Sequence, residues 1–507
     1  MIDVIISAAQ EKINPVLYPK NSNAINLSPT ERKKLSVQAL AKTSTITDLA
    51  NRNNVSRKFV YGQKKIANEA LEEAFSADTR NDHVLFYLPV TKKWIHQFVL
   101  ALILICHSSF RGVIEILDSL FDYRKISLGT IHNIVMDATK RAAQINKSED
   151  LSKIRYCAPD EIFQNRKPVL VGVDVESTYC YLLSAEEHRD ETTWGVHLLE
   201  LKERGLNPDY TIADGGKGLR AGQAAAWPNI PCHGDVFHAE REMGKLASYM
   251  ENRAASATTK LEEIELKMLR AKSKGKGQRF SKALALARQK EQKALFLAEN
   301  IRTLSDWMRD DVLSLAGPSR ETRYELFDFI LDELEKLKPL CSYKIHPVLR
   351  MLKNQRKTLL AFADILEKKF AVLANQHDIP LYLIHFMCEL QGEDLNQSIY
   401  WKQKAELQKK LKGQFFVIYQ AVQEILADTP RASSLVENLN SRLRNYFFLR
   451  RHIGNDYLEL LRYFLNHRRF IRSERPERAG LSPIELMTQT KQPHWLESLG
   501  FEQFQRA

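Results

Sequence analysis

Three carboxylates, far apart in this sequence, stand where a catalytic metal site would require them. Asp174 ends the apolar segment 169–174, Asp214 follows the apolar segment 210–213, and Glu437 lies in a segment with helical periodicity. Short apolar runs bounded by turn residues predict buried strands. Carboxylates at the ends of two neighbouring strands, with a third on a helix packed across them, can share two Mg²⁺ ions. Such ions, roughly 3.5–4 Å apart, hold the attacking and leaving oxygens of a phosphodiester during in-line displacement.

An alternation of strands and helices would position the first two acids. The pattern of residues 168–249 predicts an α/β segment. We expect strands at 168–175, 179–184, 210–213 and 230–233, and helices at 194–204, at 217–227 and from 236 onward. One more strand is expected within residues 185–193, although that stretch is polar. The third acid should lie on a helix that includes residues 433–442.

The composition favours a multidomain protein that binds a polyanion. A chain of 507 residues is too long for one ordinary domain, so roughly two to four domains are expected. The net charge of +12 and the isoelectric point near 9.2 favour an anionic partner, most commonly nucleic acid. The six cysteines form no C-x-x-C pair, which disfavours a disulfide framework and a four-ligand zinc site.

The sequence contains no segment typical of membrane insertion or secretion. No uncharged apolar stretch reaches the about 18 residues that would span a bilayer, and the most apolar run covers only residues 98–106. The first residues lack a basic leader followed by an apolar stretch and a cleavage site. We therefore expect a cytoplasmic protein with no membrane partner.

Residues 28–75 predict a helix-turn-helix unit. Ser44 or Thr45 would cap its second helix and Ser56 its third, with the turn between them. Val60 would pack inward. Five side chains of the third helix would face a major groove: Arg57, Lys58, Gln63, Lys64 and Lys65. The alternative is a three-helix bundle whose basic face is only solvated.

The pattern divides the chain into five segments. They are an N-terminal helix-turn-helix DNA-binding domain at 1–90, a second, helix-turn-helix-like DNA-binding domain at 91–155, the first part of an α/β core at 160–250, a helical insertion at 251–427, and the last core helices with a basic tail at 428–507. Further basic side chains near the acids are expected to bind DNA phosphates. These are Lys217, Arg442, Arg444, Arg450 and Arg451.

Taken together, these segments resemble the catalytic core of DDE-type transposases of the bacterial insertion-sequence kind. Gly172-Val-Asp174 looks like the first acid of that family and Ala213-Asp214-Gly-Gly like the second. Asp235-Val-Phe-His238 resembles the C/D-x-x-H signature of several of its branches. Glu437-Asn-Leu-Asn-Ser-Arg442 looks like the third acid with its basic helix. The resemblance covers roughly residues 168–475.

The resemblance implies an RNase H-like α/β core, interrupted by a large all-α insertion and preceded by helix-turn-helix units. It implies two Mg²⁺ ions, with Mn²⁺ as a substitute, held by Asp174, Asp214 and Glu437, with His238 as a further catalytic residue. The activity implied is hydrolysis at transposon ends followed by strand transfer into target DNA. The implied partners are double-stranded DNA and further copies of the chain, as a homodimer or larger assembly at the bacterial nucleoid.

Several assignments have alternatives. Glu424 competes with Glu437 as the third acid, and Cys232 competes with Asp235 in the signature. His238 could instead be a structural histidine that binds a backbone carbonyl. Trp307 or Trp401 could stack on a flipped base, although tryptophans in helical domains are more often core residues.

Two other functions fit the same residues. One is a metal-dependent nuclease that cuts DNA but does not join strands. The other is an inactive, transposase-derived DNA-binding regulator, which the three intact acids disfavour. For the transposase, Asp174→Asn, Asp214→Asn and Glu437→Gln are each expected to abolish cleavage while end binding persists.

Overall fold

The described part of the protein is mostly helical and contains one small mixed sheet of five strands, so it is an α/β fold with a large helical part. The computed structural model describes residues 24, 26–75, 88–431, 434–449, 454–473 and 475–502. The chain forms two compact units, one from residues 1–98 and 116–124 and one from 99–115 and 125–507. Within the described ranges, none of the helices has the length and apolar character needed to cross a membrane.

Three capped helices make up the start of the first unit: α1 (Pro29–Leu40), α2 (Ile46–Arg52) and α3 (Arg57–Phe75). Ser28 and Glu31 form a reciprocal capping box on α1. Thr45 Oγ1 accepts a hydrogen bond from the backbone N–H of Asp48, 3.1 Å away. Ser56 Oγ accepts one from the N–H of Phe59 at the same distance. The predicted caps Thr45 and Ser56 are therefore confirmed.

A small apolar core holds these three helices together, with Leu35, Leu49, Phe59 and Val60 among its buried side chains. Val60 is fully buried, as its predicted inward position requires. The basic side chains of α3 lie outside this core. Arg57, Lys58 and Lys65 are exposed, and Gln63 and Lys64 are partly exposed.

Three further helices follow: α4 (Lys92–Leu104), α5 (Phe110–Phe121) and α6 (Leu128–Ser148). Ser127 caps α6 by accepting a hydrogen bond from the N–H of Thr130. Inside the second unit, α6 packs against α18 (Asn455–His467) near the C-terminus. The buried Asn146 amide donates to the backbone oxygen of Glu459 at 2.9 Å, which fixes the contact between the two helices.

The five strands of the sheet are β1 (Tyr156–Gln164), β2 (Lys167–Asp174), β3 (Cys180–Ala185), β4 (Tyr210–Ala213) and β5 (Cys232–Gly234). Their order across the sheet is β3-β2-β1-β4-β5. The pairs β1–β2 and β2–β3 are antiparallel, whereas β1–β4 and β4–β5 are parallel. Strand β1 therefore separates β2 from β4, and the expectation that Asp174 and Asp214 end neighbouring strands is wrong.

The strand expected within residues 185–193 is also absent from its predicted place. Helix α7 (Glu191–Glu203) begins in that stretch instead. The additional strand of the sheet is β1, which lies before residue 168, where the predicted α/β segment begins. Pro159, Asp160 and Glu161 interrupt its apolar character. Proline is tolerated because β4 pairs only with Tyr156 and Cys157, so Pro159 lies beyond that ladder.

The sheet has two apolar faces, which we name after the helices that cover them. On the α17 face, Ala158, Ile162 and Val171 pack against helices α17 (Ser434–Leu449) and α18. On the α7 face, Cys157 and Leu170 pack against α7 and α8 (Lys217–Ala226). Alternation along each strand sends neighbouring side chains to opposite faces. The position of an acid along β1 or β2 therefore decides which face it reaches.

A large helical region separates β5 from α17, as the pattern of residues 251–427 predicts. Its helices are α9 (Val236–Lys272), α10 (Ser281–Trp307), α11 (Arg320–Leu337), α12 (Ser342–Leu359), α13 (Ala361–Gln376), α14 (Leu381–Gly392), α15 (Ser398–Leu411) and α16 (Phe415–Ala427). One continuous apolar core runs through them, with Met243, Phe327 and Ile384 fully buried. Two short helices, α19 (Pro483–Thr488) and α20 (Trp495–Ser498), follow α18.

Candidate active site

Five carboxylates from four elements line one cavity of about 230 Å³ in the second unit, and one of them, Glu161 on β1, is paired with Arg189. Asp160 lies on β1, Asp214 follows β4, Asp235 precedes α9, and Glu437 lies in the first turn of α17. Parallel pairing brings the strand acids together. Asp160 and Asp214 each lie three residues beyond the paired Cys157 and Thr211.

The Asp160 carboxyl group is the acid most affected by this environment. Burial raises its pKa to about 7, and the negative charges of Asp214 and Glu437 add to the increase. The Asn440 amide, one helical turn after Glu437, donates to Asp160 Oδ2 at 2.7 Å. The buried Oδ1 of Asn440 has no hydrogen-bond partner among the described residues. The cavity therefore contains more negative charge and acceptor capacity than the protein itself satisfies.

Asp214 is held by the tight turn that leads from β4 into α8. Its Oδ1 accepts a hydrogen bond from the backbone N–H of Gly216 at 2.8 Å. A Cβ atom added at Gly216 would lie only 2.9 Å from the same oxygen, so this close approach requires glycine. The Arg220 guanidinium donates to the backbone oxygen of Asp214 and so stabilises the turn. The other Asp214 oxygen, Oδ2, accepts no hydrogen bond from a described residue.

Two arginines hold the carboxylate of Glu437. Arg241 on α9 donates from Nη1 to Glu437 Oε1, and Arg444 Nη2 lies 3.6 Å from Oε2. Both guanidinium groups line the cavity with the acids. Arg241 Nε is buried and has no partner among the described residues. The cavity thus places two arginines, which bind phosphate well, beside the acid cluster.

His238 contacts the same arginine and does not bind a backbone carbonyl. Its Nδ1 lies 3.1 Å from Arg241 Nη2. A guanidinium group can only donate, so Nδ1 accepts and the ring proton belongs on Nε2. His238 lines the cavity, but its observed partner is an arginine and not a carboxylate. It positions Arg241, which in turn positions Glu437.

Asp235, and not Cys232, is the signature residue that reaches the cavity. Asp235 is 6 % exposed and caps α9 by accepting from the N–H of Phe237 at 3.0 Å. Its own N–H donates to the backbone oxygen of Ala213, so it lies beside Asp214. Cys232 begins β5 and is not among the residues that line the cavity.

The structure does not bring Asp174 to this cavity. Asp174 lies directly opposite Cys157 in the β1–β2 register, and Cys157 is three residues from Asp160. Opposite residues share a face, whereas residues three apart on one strand do not, so Asp174 and Asp160 lie on opposite faces. Asp174 is 3 % exposed, and its Oδ2 accepts from both the N–H and the hydroxyl of Ser177. It serves as a turn residue between β2 and β3.

The remaining predicted positions are distributed over the surface. Arg444 lines the acid cavity and Lys217 is exposed at the start of α8, whereas Arg442 lines a different cavity. Glu424 is exposed on α16 and does not line the acid cavity. Trp307 and Trp401 are 39 % and 57 % exposed. Arg450 and Arg451 lie outside the described residues, and the α3 side chains belong to the first unit.

Three side chains that line the cavity were not predicted from the sequence: Asp160, Arg241 and Asn440. A usable signal existed for Asp160, because Tyr156, Ala158 and Ile162 alternate in phase with it. An acid at an otherwise apolar face position is an exception that needs a reason. Arg241 follows His238, and Asn440 follows Glu437, by one helical turn each.

The donor set of the cavity suits a hard divalent cation. Its carboxylates supply only oxygen ligands, which Mg²⁺ and Mn²⁺ prefer. Burial raises the pKa of Asp160 and so disfavours its charged form, which a bound cation would stabilise. In the observed arrangement, no group of three or more His, Cys, Asp or Glu side chains within the described ranges is placed to hold a metal ion. Glu437 would have to exchange its Arg241 contact for the ion.

Carboxylates and arginines together can bind a phosphate ester and a cation side by side, which is the requirement of phosphoryl transfer. The arginines of the cavity supply the positive charge for the ester oxygens. The acids supply the ligands for a cation. The sequence matches no known protein-family model and no curated protein.

Proposed function

We propose that the protein is a DDE-type DNA transposase that cleaves and joins DNA strands at the acid cavity. The observation that carries the proposal is the convergence of Asp160, Asp214 and Glu437, from three distant segments, on one cavity. In this assignment Asp160 takes the place of Asp174 as the first acid. Burial, together with the nearby Asp214 and Glu437 carboxylates, raises the pKa of Asp160, which supports a binding role for the cavity.

The topology of the sheet supports an RNase H-like core, which the resemblance implies. Three antiparallel strands are followed by two parallel strands, and α7 and α8 form the connections. The first acid lies on the central strand β1, and the second follows its parallel neighbour β4. The third lies on α17, which returns to the sheet after the helical region. The order of acids and elements thus agrees with the proposed family.

Asp160, Asp214 and Glu437 would hold two Mg²⁺ ions, with Asp235 beside them. When bound, such ions activate the attacking oxygen and neutralise charge that develops on the phosphodiester. The chain itself would orient the ligands. Asn440 fixes the Asp160 carboxylate and the N–H of Gly216 fixes that of Asp214.

Arg241 and Arg444 would bind the non-bridging oxygens of the phosphate group under attack. Both guanidinium groups line the cavity and already contact the Glu437 carboxylate. On substrate binding, the phosphate would replace this carboxylate as their partner and release it toward the metal ions. His238 would keep Arg241 in position through Nδ1.

The first unit would recognise the transposon ends. Its three capped helices support a helix-turn-helix, in which α3 presents Arg57, Lys58 and Lys65 to DNA. The net charge of +12 supports the same partner. Two ends must be brought together for joining, so a homodimer or larger assembly on DNA is part of the proposal.

The test is incubation of the purified full chain with Mg²⁺, a labelled transposon end and a target plasmid. The expected products are a nicked or cut end and a joint between the end and the plasmid. Cleavage without joints would favour the nuclease instead. DNA binding without cleavage would favour the regulator. A chelator should remove both products and leave the binding of the ends, which needs no metal in this proposal.

A further inference from the structure

A second cavity of the same unit, about 510 Å³ in volume, is lined mainly by arginine. Its volume lies in the range of ligand-binding pockets, roughly 300–1,000 Å³. Of its twelve described lining residues, six are arginines and none is acidic. They are Arg442, Arg468, Arg469, Arg472, Arg475 and Arg478. We name it the arginine cavity.

Among the described residues, only part of this positive charge is paired. Arg469 pairs with Glu485 at 2.9 Å, and Arg478 donates to the backbone oxygen of Glu176 at 2.5 Å. The other four arginines form no ion pair with an acid in the part of the chain that the structure describes. Burial lowers the pKa of Arg442, and the neighbouring Arg468 charge lowers it further. Like charges crowded in this way favour the binding of an anion.

Thr178, which also lines the arginine cavity, adds a strained polar group to it. Its φ of +64° lies in the left-handed region, which a β-branched residue adopts only at a cost. Its buried hydroxyl has no hydrogen-bond partner among the described residues. The turn that forces this geometry is the one that Asp174 closes, since the N–H of Thr178 donates to the Asp174 backbone oxygen at 2.9 Å. Strain of this kind is concentrated at binding and catalytic sites.

We propose that the arginine cavity is a phosphate-binding site, and that the DNA strand engaged at the acid cavity supplies the phosphates. Guanidinium groups bind phosphate oxygens through paired, charge-assisted hydrogen bonds. Arg472 and Arg475 are exposed and can receive a ligand from solvent. The identity of the strand rests on the proposed function, whereas the phosphate chemistry does not.

Helix α17 connects this site to the acid cavity. Glu437, Asn440 and Arg444 line the acid cavity, whereas Asn438 and Arg442 line the arginine cavity. At 100° per residue, the two sets lie on adjoining sides of one helix. A strand that crosses α17 would therefore have one phosphate at the acids and later phosphates at the arginines.

The test is the affinity for a short DNA duplex, measured by fluorescence anisotropy in the presence of a chelator at several salt concentrations. The main variant is Arg472→Gln/Arg475→Gln, because both side chains are exposed and the fold does not depend on them. We expect a loss of affinity of roughly tenfold per arginine and a salt slope smaller by about two. Arg442→Gln should act in the same direction, with thermal unfolding used to verify that it folds.

The matched control is Arg350→Gln/Lys402→Gln, which removes the same charge from exposed helix positions outside both cavities. A second arm measures the shift of the unfolding midpoint that inorganic pyrophosphate causes in the wild type and in the main variant. Equal DNA affinities of the main variant and the control would overturn the assignment to DNA. If pyrophosphate still shifts only the wild type, a free phosphate compound is the ligand. If it shifts neither, the phosphate site itself is refuted. Because no metal is present, an absence of strand cleavage would not affect these results.

Discussion

Each face of the sheet contains an aspartate whose pKa is raised by burial, and the two residues differ in their partners. On the α7 face, the Asp174 carboxylate accepts hydrogen bonds from the N–H and hydroxyl of Ser177 within its own turn. On the α17 face, Asp160 shares a cavity with Asp214 and Glu437 and has a pKa near 7. Asp174 accepts hydrogen bonds within its own turn, whereas Asp160 lies close to two other carboxylates.

The difference teaches how to separate a structural acid from a candidate catalytic one. A carboxylate whose partners come from its own turn lowers the energy of that turn and needs no ligand. A carboxylate that meets other carboxylates from distant segments raises the energy of the fold. Such an arrangement persists where a ligand, here a divalent cation, compensates it. Substitution of Asp160 should therefore reduce cleavage, whereas substitution of Asp174 should reduce stability.

The largest effect is expected from Asp160→Asn. The change removes a proposed metal ligand while preserving size, so cleavage should fall by roughly 10²–10³-fold or more. The free energy of unfolding should stay equal or increase, because repulsion from Asp214 and Glu437 is removed. Cleavage of a labelled end and urea unfolding measure the two quantities. Asp160→Asn with wild-type cleavage would exclude this residue from the chemistry.

A smaller effect on the same face is expected from Asn440→Ala. The Asn440 amide orients Asp160 from 2.7 Å, and loss of such a partner typically weakens metal binding by about 10–100-fold. The Mg²⁺ concentration for half-maximal cleavage should rise by this factor, with a smaller loss at saturating Mg²⁺. Asn445→Ala, at an exposed position of the same helix, is the matched control. Identical Mg²⁺ requirements for both variants would mean that Asn440 is only a packing residue.

Much of the fold is predictable from the sequence because the signals for it lie in residues that are neighbours along the chain. Strands β2, β3 and β4 are apolar runs bounded by turns, and the helical region follows from its continuous periodicity. The caps Thr45 and Ser56 need only the three residues that follow them. Asp214 and Glu437 were found because turn and helix signals flank them. Each of these features depends on neighbours along the chain.

The remaining features depend on pairing between distant residues. Strand β1 was missed because Pro159, Asp160 and Glu161 remove its apolar pattern, and only its position between β2 and β4 makes it a strand. Asp174 ends a strand as predicted, but the face that it occupies is set by the register with Cys157. A shift of one residue would reverse that face, and the continuous apolar run of β2 does not show which of its alternate side chains face α17.

On the α7 face, Asp174→Asn should affect stability and leave cleavage within about twofold. The amide would place an N–H₂ group or a weaker acceptor against the N–H and hydroxyl of Ser177, which are buried. We expect the free energy of unfolding to fall by about 1–3 kcal/mol in urea titrations. The control Asp209→Asn breaks only an exposed pair with Arg155 and should cost less than about 1 kcal/mol. Abolished cleavage in a fully stable Asp174→Asn protein would return this acid to the active site.

The smallest effect is expected from Thr178→Gly in the same turn, and its sign is informative. Thr178 has a φ of +64°, which glycine adopts without the cost of about 1–3 kcal/mol that strained positions carry. The greater freedom of glycine in the unfolded chain offsets roughly 0.5–1 kcal/mol of this gain. The free energy of unfolding should therefore rise, by roughly 0–2.5 kcal/mol, although a side chain is removed. Thr259→Gly, in the middle of α9, should instead lose about 0.3–0.5 kcal/mol. If both variants lose stability equally, the Thr178 turn stores no strain, and strain no longer supports a ligand at the arginine cavity.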